Sequence, residues 1–344
     1  MRILVIRRDN IGDLVCTTPL IAALRRRYPE AHLAALVNSY NAAVVAGNPD
    51  LDAVYSYTKL KHRQPGQGRL RILADRLRLL ARLRRERIDH VVLAKSEFDR
   101  HGLALARSLR ARSVLGFLPK PDARVRGLSM PLPPPRNHEL HEVEVMMQLA
   151  AALDARVPAG PVQVFANAER VAHWRERLSE LGDRRRPWVA VHLSARDPTR
   201  AWPADKFVSL IRRLDCGVVL IWAPGHADDP RHPGDDEKAA AVATQASPRP
   251  GLVPVRTASV EDLTAVLSLC DGFIGVDGGA MHLAAGLGLP IVALFENLPH
   301  SKRHWRPWGP SHEVVSPESG PISGISVDQV LEAWQRLPAR AAPS

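Results

Sequence analysis

Short apolar runs rich in β-branched residues alternate with longer stretches of helical period along this chain, and the alternation occurs twice in succession. Runs at 3–6, 33–37, 91–94 and 114–117 are interleaved with helical stretches near 14–27, 69–87, 99–109 and 138–153. A second series places strands at 189–193, 218–223, 252–255, 273–276 and 291–295, with helices near 167–181, 203–214, 236–246, 260–269 and 280–287. Continuously apolar strands separated by amphipathic crossovers specify parallel sheets covered on both faces. The length of 344 residues suits two domains of about 150 residues better than one core. Between the two series, Arg-Val-Pro-Ala-Gly-Pro-Val at 156–162 breaks both periodicities. The expected division is therefore 1–160 and 161–335, followed by a flexible tail over 336–344. Open parallel sheets bind ligands outside the carboxyl ends of their strands, so a cleft between two such domains is the expected place for a site.

Charge sets the expected partners. The formal net charge is +11, and the basic residues comprise seven lysines and forty arginines, which predicts attraction to anionic molecules or an acidic membrane face. Cys16, Cys216 and Cys270 follow no metal-ligand or redox spacing, so neither a disulfide framework nor a structural zinc site is indicated, and a reducing cytoplasm is expected. Only four apolar residues stand together at the N-terminus, and no run reaches the length of a membrane span. Any membrane contact is expected from the surface. The stretch 69–87 has leucines at 70, 73, 77, 80 and 83 amid many arginines. The ordinary reading packs that stripe on the sheet, while the basic remainder would still feel an anionic bilayer.

Four segments carry candidate chemistry. After the first strand comes Arg7-Arg8-Asp9-Asn10-Ile11-Gly12-Asp13, whose single glycine falls short of a dinucleotide fingerprint. Gly12 is expected to let the backbone turn closely, placing Asp13 at a helix start as either a capping or a catalytic carboxylate. Pro19 either sits in a first helical turn or kinks a helix already begun. Further on, a strand ends at Asp277, and Gly278, Gly279 and His282 open a small-residue helix, an arrangement suited to cradling a diphosphate. Ser194 and Arg200 lie in a polar loop before Trp202-Pro203 and could hold phosphate oxygens. The loop at 222–238 is dense in His and Asp, but it lacks metal-ligand spacing, so no metal is expected there. Asp236 or Glu237, at the next helix start, could accept from sugar hydroxyls.

These segments, in this order, resemble glycosyltransferase family 9, the lipopolysaccharide heptosyltransferase group. The resemblance rests on the opening Ile3-Leu-Val-Ile-Arg with Ile11-Gly12-Asp13 and Thr18-Pro19, on Trp202-Pro203, and on Asp277-x-Gly279-x-x-His282 with its Ala-Ala-Gly-Leu-Gly-Leu-Pro continuation. It implies a GT-B architecture, two Rossmann-like parallel-sheet domains facing across a cleft, with an N-terminal acceptor domain and a C-terminal nucleotide-sugar domain. It further implies inverting, metal-independent transfer without a cofactor, the donor being a nucleotide sugar such as ADP-heptose. Asp13 then corresponds to the general base, Ser194 to a hydroxyl near the phosphates, and Arg200 to the family's usual lysine beside the leaving diphosphate. Asp277, Gly278, Gly279 and His282 correspond to the diphosphate turn, and Glu237 or Asp236 to the ribose-binding acid. Gly278 departs from the usual Thr or Ser, and Arg200 from Lys.

For the acceptor, the first domain offers Lys59, Lys61, Lys95, Arg100 and Arg124, with Arg63, Lys120 and Arg126 besides, which suit an anionic lipid-linked glycan such as a lipopolysaccharide inner core. The expected setting is cytoplasmic, peripheral on the inner face of the inner membrane. Rival readings are a sugar-nucleotide epimerase of similar fold and a non-catalytic nucleotide- or nucleic-acid-binding protein. Aromatic residues suited to base stacking are sparse in the arginine-rich helix, so nucleic acid is not expected as a partner.

Overall fold

The computed structural model describes residues 1–58, 69–181, 187–195, 197–229 and 233–340. Two compact units divide the chain, residues 1–162 and residues 163–344.

The first unit is built on β1 (Arg2–Ile6), β2 (His32–Asn38), β3 (Ala53–Tyr57), β4 (His90–Leu93), β5 (Ser113–Phe117) and β6 (Met130–Leu132). They form one sheet in the order β3-β2-β1-β4-β5-β6, and every pairing is parallel. β1 and β2 are buried over nearly their full length, which is why they read as unbroken apolar runs. The helices are α1 (Ile11–Val15), α2 (Thr18–Arg27), α3 (Arg69–Arg85), α4 (Arg100–Leu109) and α5 (Glu142–Ala152). Where one helix was expected near 14–27 there are two, and Pro19 occupies the first turn of α2, where its missing N–H costs nothing. Gly12 lies buried inside α1, so the turn expected there is an ordinary helical start.

In α3 the expected packing is corrected. Leu83 belongs to the core with Leu79 and Leu80 at its edge, and Ile72 is buried, but Leu70, Leu73 and Leu77 stand 83%, 53% and 57% exposed. The helix carries two apolar series, and only the one containing Ile72, Leu79, Leu80 and Leu83 reaches the sheet. The stripe read from the sequence mixed them.

The second unit repeats the plan with β7 (Trp188–His192), β8 (Gly217–Ile221), β9 (Leu252–Val255), β10 (Gly272–Val276), β11 (Ile291–Leu294) and β12 (His312–Val315). Its order is β12-β11-β10-β7-β8-β9, again wholly parallel. The helices are α6 (Ala168–Leu181), α7 (Ala204–Arg213), α8 (Asp236–Ala246), α9 (Val260–Ser268), α10 (Gly279–Gly286), α11 (Pro299–Trp305) and α12 (Val327–Arg336). Fully buried Trp202 stacks edge-on against Phe207 in the core, and its Nε1 donates to Ile325 O at 3.1 Å, so the indole's polar atom is satisfied. Arg340, within the stretch read as a tail, donates to the carbonyls of Ser268, Cys270 and Leu287. Among the described residues no helix is long and apolar enough to cross a membrane.

In each unit the strand order reverses beside the first strand, between β1 and β4 and between β7 and β10. Crossovers leave toward opposite sides at that point and open a crevice at the strands' carboxyl ends. The candidate chemistry lies there in both units.

Candidate active site

At the end of β1, Arg7 is buried although it is a long cation, because carboxylates converge on it. Nη1 donates to Ala94 O at 2.6 Å and to Glu142 Oε1 at 2.8 Å, Nη2 donates to Asp13 Oδ1, and Nε lies 3.4 Å from Asp9 Oδ2. Burial opposes its charge, but Glu142, Asp13 and Asp9 outweigh that and hold the guanidinium above its ordinary range. Glu142 opens α5, whose N-terminus is capped by His141, with Glu144 accepting from the His141 amide at 2.7 Å.

Asp13 is the third residue of α1. Its Oδ2 accepts from the Asn10 backbone N–H at 3.1 Å and from Asn10 Nδ2 at 3.0 Å, while Oδ1 takes Arg7. The carboxylate does cap the helix as one reading held, and it is also oriented from two sides at the sheet's switch point. Beside it Arg8 donates to Tyr57 Oη at 3.0 Å and to Asp99 at 2.9 Å, and Asp99 in turn caps α4 through the Gly102 amide. Lys95, at the carboxyl end of β4, pairs with Glu97 at 2.7 Å. Burial opposes its charge, but Glu97, Asp9 and Asp99 raise it. Arg100 and Arg124 are exposed, on α4 and in the loop after β5. Lys59, Lys61 and Arg63 lie outside the described residues. A cavity of about 290 Å³ opens between the end of β3 and the start of α3, lined by Tyr57, Thr58, Ser39 and Asp75 among others.

In the second unit, Asp277 follows β10, and its amide extends the ladder to Leu294 O. Gly278 caps α10 with extended backbone, and Gly279 begins the helix. Arg200 Nη1 reaches Asp277 Oδ2 at 3.4 Å, and Arg200 Nε lies 3.5 Å from Glu296 Oε2 without a hydrogen bond among the described residues. Burial pushes the Asp277 carboxyl up to about 6; Arg200 opposes the rise and Glu296 adds to it. His282 is buried, with Nε2 3.9 Å from Asp277 Oδ1 and its ring edge-on to Trp305. Ser194, at the end of β7, accepts from the Ala223 amide at 2.9 Å and keeps its own hydrogen to donate. Lys238 reaches from α8 to the Leu193 carbonyl at 3.2 Å, and burial lowers its pKa.

The two ribose-acid candidates differ in their surroundings. Asp236 accepts from Trp222 Nε1 at 2.7 Å and from Arg256, and Arg256 and then Trp222 hold its carboxyl down at about 2. Glu237 is more exposed and pairs with His226 at 2.6 Å, whose hydrogen bond lowers its pKa and raises that of the imidazole. Among the described residues no three His, Cys, Asp or Glu side chains are grouped to hold a metal.

The sequence alone assigns no role to Arg7 or to Lys238 at the end of the 222–238 segment, and neither Glu142 nor Glu296 stands out in it. Glu142 lies 135 residues from Arg7 in the chain. Its only local sign is its place in the first turn of a capped helix. Glu296 stands just beyond β11, and a carboxylate at the carboxyl end of a parallel strand was the signal available.

The family model for glycosyltransferase family 9 (heptosyltransferase) matches residues 76–331. A lipopolysaccharide heptosyltransferase 3 of Escherichia coli K12 is 26% identical over 357 residues, spanning 97% of this chain and 97% of that protein. Among solved structures, the chain is similar to a family 9 glycosyl transferase from Veillonella parvula (TM-score 0.79, 20% identity, 97% and 96% of the two chains). It is also similar to the E. coli ADP-heptose lps heptosyltransferase II (TM-score 0.76, 20% identity, 97% and 98%). The two doubly wound units are thus those of the GT-B fold.

Proposed function

The chain belongs to glycosyltransferase family 9, and we propose that it moves a heptose from ADP-heptose to a lipopolysaccharide-core-type acceptor, inverting the anomeric carbon. Family membership sets it among glycosyltransferases rather than epimerases or nucleic-acid binders. In the proposed step the acceptor hydroxyl oxygen bonds to the anomeric carbon, the bond from that carbon to the diphosphate oxygen breaks, and Asp13 takes the hydroxyl proton. The observation that carries this reading is the Asp13 carboxylate itself, oriented by Arg7 and Asn10 at a switch point. A base fixed in this way needs no reorganisation when the proton moves.

On the donor side, Arg200 meets the charge gathering on the departing diphosphate, and its Nε makes no hydrogen bond among the described residues. The free amides at the start of α10, with Gly278 and Gly279, receive phosphate oxygens, and the Ser194 hydroxyl donates to them. Asp277 and His282 line that turn. Of the two acids Glu237 is the one proposed for ribose hydroxyls, since it is the more exposed and pairs with one side chain, His226, whereas Asp236 is held by both Trp222 and Arg256. No metal or cofactor enters this proposal. Lys95, Arg100 and Arg124 serve the anionic acceptor, as Lys59 and Lys61 are also proposed to do, and the enzyme meets its lipid-linked substrate peripherally at the cytoplasmic membrane face.

Titrating the full-length protein with ADP-heptose and with UDP-sugars, then adding a core acceptor truncated before its heptoses, tests the assignment. Tight binding of the ADP-linked sugar and its transfer are expected. Selective binding of a UDP-sugar would overturn the donor assignment, and donor turnover without an acceptor product would overturn the acceptor class.

A further inference from the structure

The outward face of α3 has no place in the chemistry above, yet it is built unlike an ordinary solvent face. Leu70, Leu73 and Leu77 are all largely exposed. Leu70, Leu77 and Arg84 follow at seven-residue spacing, so they share one side of the helix, with Leu73 beside them. The helix carries seven arginines and a single aspartate. At its end the same face runs into a cavity of about 450 Å³ lined by Arg84, Arg87, Arg110 and Arg112, with Asp89 the sole carboxylate among the lining residues. Asp89 is already shared: it accepts from the Arg2 amide at 2.8 Å and lies 4.0 Å from Arg112.

We infer that this face is a docking surface for an anionic phospholipid bilayer, the leucines entering the interface and the arginine-lined cavity receiving lipid phosphate. Charge and shape select this occupant. Three leucines make too little apolar surface for a stable protein interface, which buries about 800 Å² on each partner. Flanked by arginines, they match a helix lying in the headgroup region of an acidic membrane. Topology adds a consequence. α3 starts from the carboxyl side of β3 and runs back to the start of β4, so its leucine half lies toward the sheet end that carries Arg8, Asp13 and Lys95. A bilayer against that half would put a lipid-borne substrate close to those residues. The inference deepens the proposed membrane setting and rests on it only for this last step.

The test is co-sedimentation of the full-length protein with phosphatidylethanolamine/phosphatidylglycerol vesicles and with phosphatidylcholine vesicles, with no nucleotide or glycan present. Binding to the anionic vesicles alone, weakened by salt, is expected. Leu73→Gln/Leu77→Gln should lower the partition coefficient at least tenfold, and Arg84→Gln/Arg112→Gln should abolish the anionic preference. All four positions touch solvent, and donor turnover with a detergent-solubilised acceptor should remain at the wild-type level. Failure of the wild type to bind anionic vesicles at low salt would overturn the inference, as would equal binding by the leucine variant. A concentration-dependent dimer lost in the leucine variant, without vesicle binding, would assign the face to a second copy instead. Because the vesicles carry no substrate, loss of the transferase reading would leave this result standing, and the reverse also holds.

Discussion

Arg7 Nη1 donates to Glu142 Oε1 at 2.8 Å, with both side chains withdrawn from water. The pair joins the end of β1 to the start of α5, and through Nη2 it fixes Asp13. Removing one member of a buried pair leaves the other's charge uncompensated, at a cost of about 3–5 kcal/mol. Glu142→Ala should therefore lower unfolding free energy by about that amount, less what Asp9 and Asp13 recover, as read by urea denaturation. The same variant should lose kcat more than donor affinity, because an Arg7 freed of Glu142 can shift and carry its partner Asp13 out of line.

Asp277 gives a pH signature. Its folded pKa, about 6, is raised above the ordinary value, so its favourable contribution is complete below about pH 4 and is lost as pH rises through 6. Asp277→Asn should accordingly be more stable than wild type at pH 8, by no more than about 3 kcal/mol. The gap should narrow at pH 5, and thermal melts at the two values would check the sign. Donor affinity in the wild type should also rise as pH falls through 6, since a neutral Asp277 no longer repels a diphosphate.

Glu296→Gln removes a charge that adds to the Asp277 rise and that holds Arg200 from the far side. The Asp277 titration should move to lower pH in this variant. A pH series of donor binding would register the move, while a Glu296 that merely filled space would leave the profile in place.

Two glycines should respond in opposite ways. A Cβ on Gly278 would find its nearest neighbour at 4.0 Å, and the backbone there is extended, so Gly278→Thr should leave stability within about 0.5 kcal/mol. Its hydroxyl adds a donor beside the turn proposed to hold the diphosphate and should tighten donor binding about fivefold, the worth of one ordinary hydrogen bond. At Gly102 an added Cβ would sit 2.1 Å from Asp99 Oδ2. Gly102→Ala should therefore displace the carboxylate that grips Arg8, at a cost of about 1–3 kcal/mol. Thermal melts and donor titrations of the two variants would separate these outcomes.

The central strands were legible because they are buried on both faces and read as unbroken apolar runs; β7, β8 and β10 fall within two residues of expectation at each end. The edge strands β3, β6 and β12 were not read. Each is partly exposed, so its apolar signal is diluted, and β6, of only three residues, contains Pro131. The elements carrying Asp13, Ser194, Arg200 and Asp277 could be placed because turn and helix-start chemistry is local. What the chain could not reveal was contact at a distance: Arg7 with Glu142, Arg200 with Glu296, and which of two interleaved leucine series on α3 faces the sheet.

Asp13→Asn is the most direct measurement. Asparagine keeps an oxygen that can accept from the Asn10 amide, so the helix start survives while the proton acceptor is lost. The account predicts unchanged donor affinity with kcat reduced about 10²–10⁴-fold. Transfer at the wild-type rate by a folded Asp13→Asn enzyme would contradict it and leave Asp13 a helix cap.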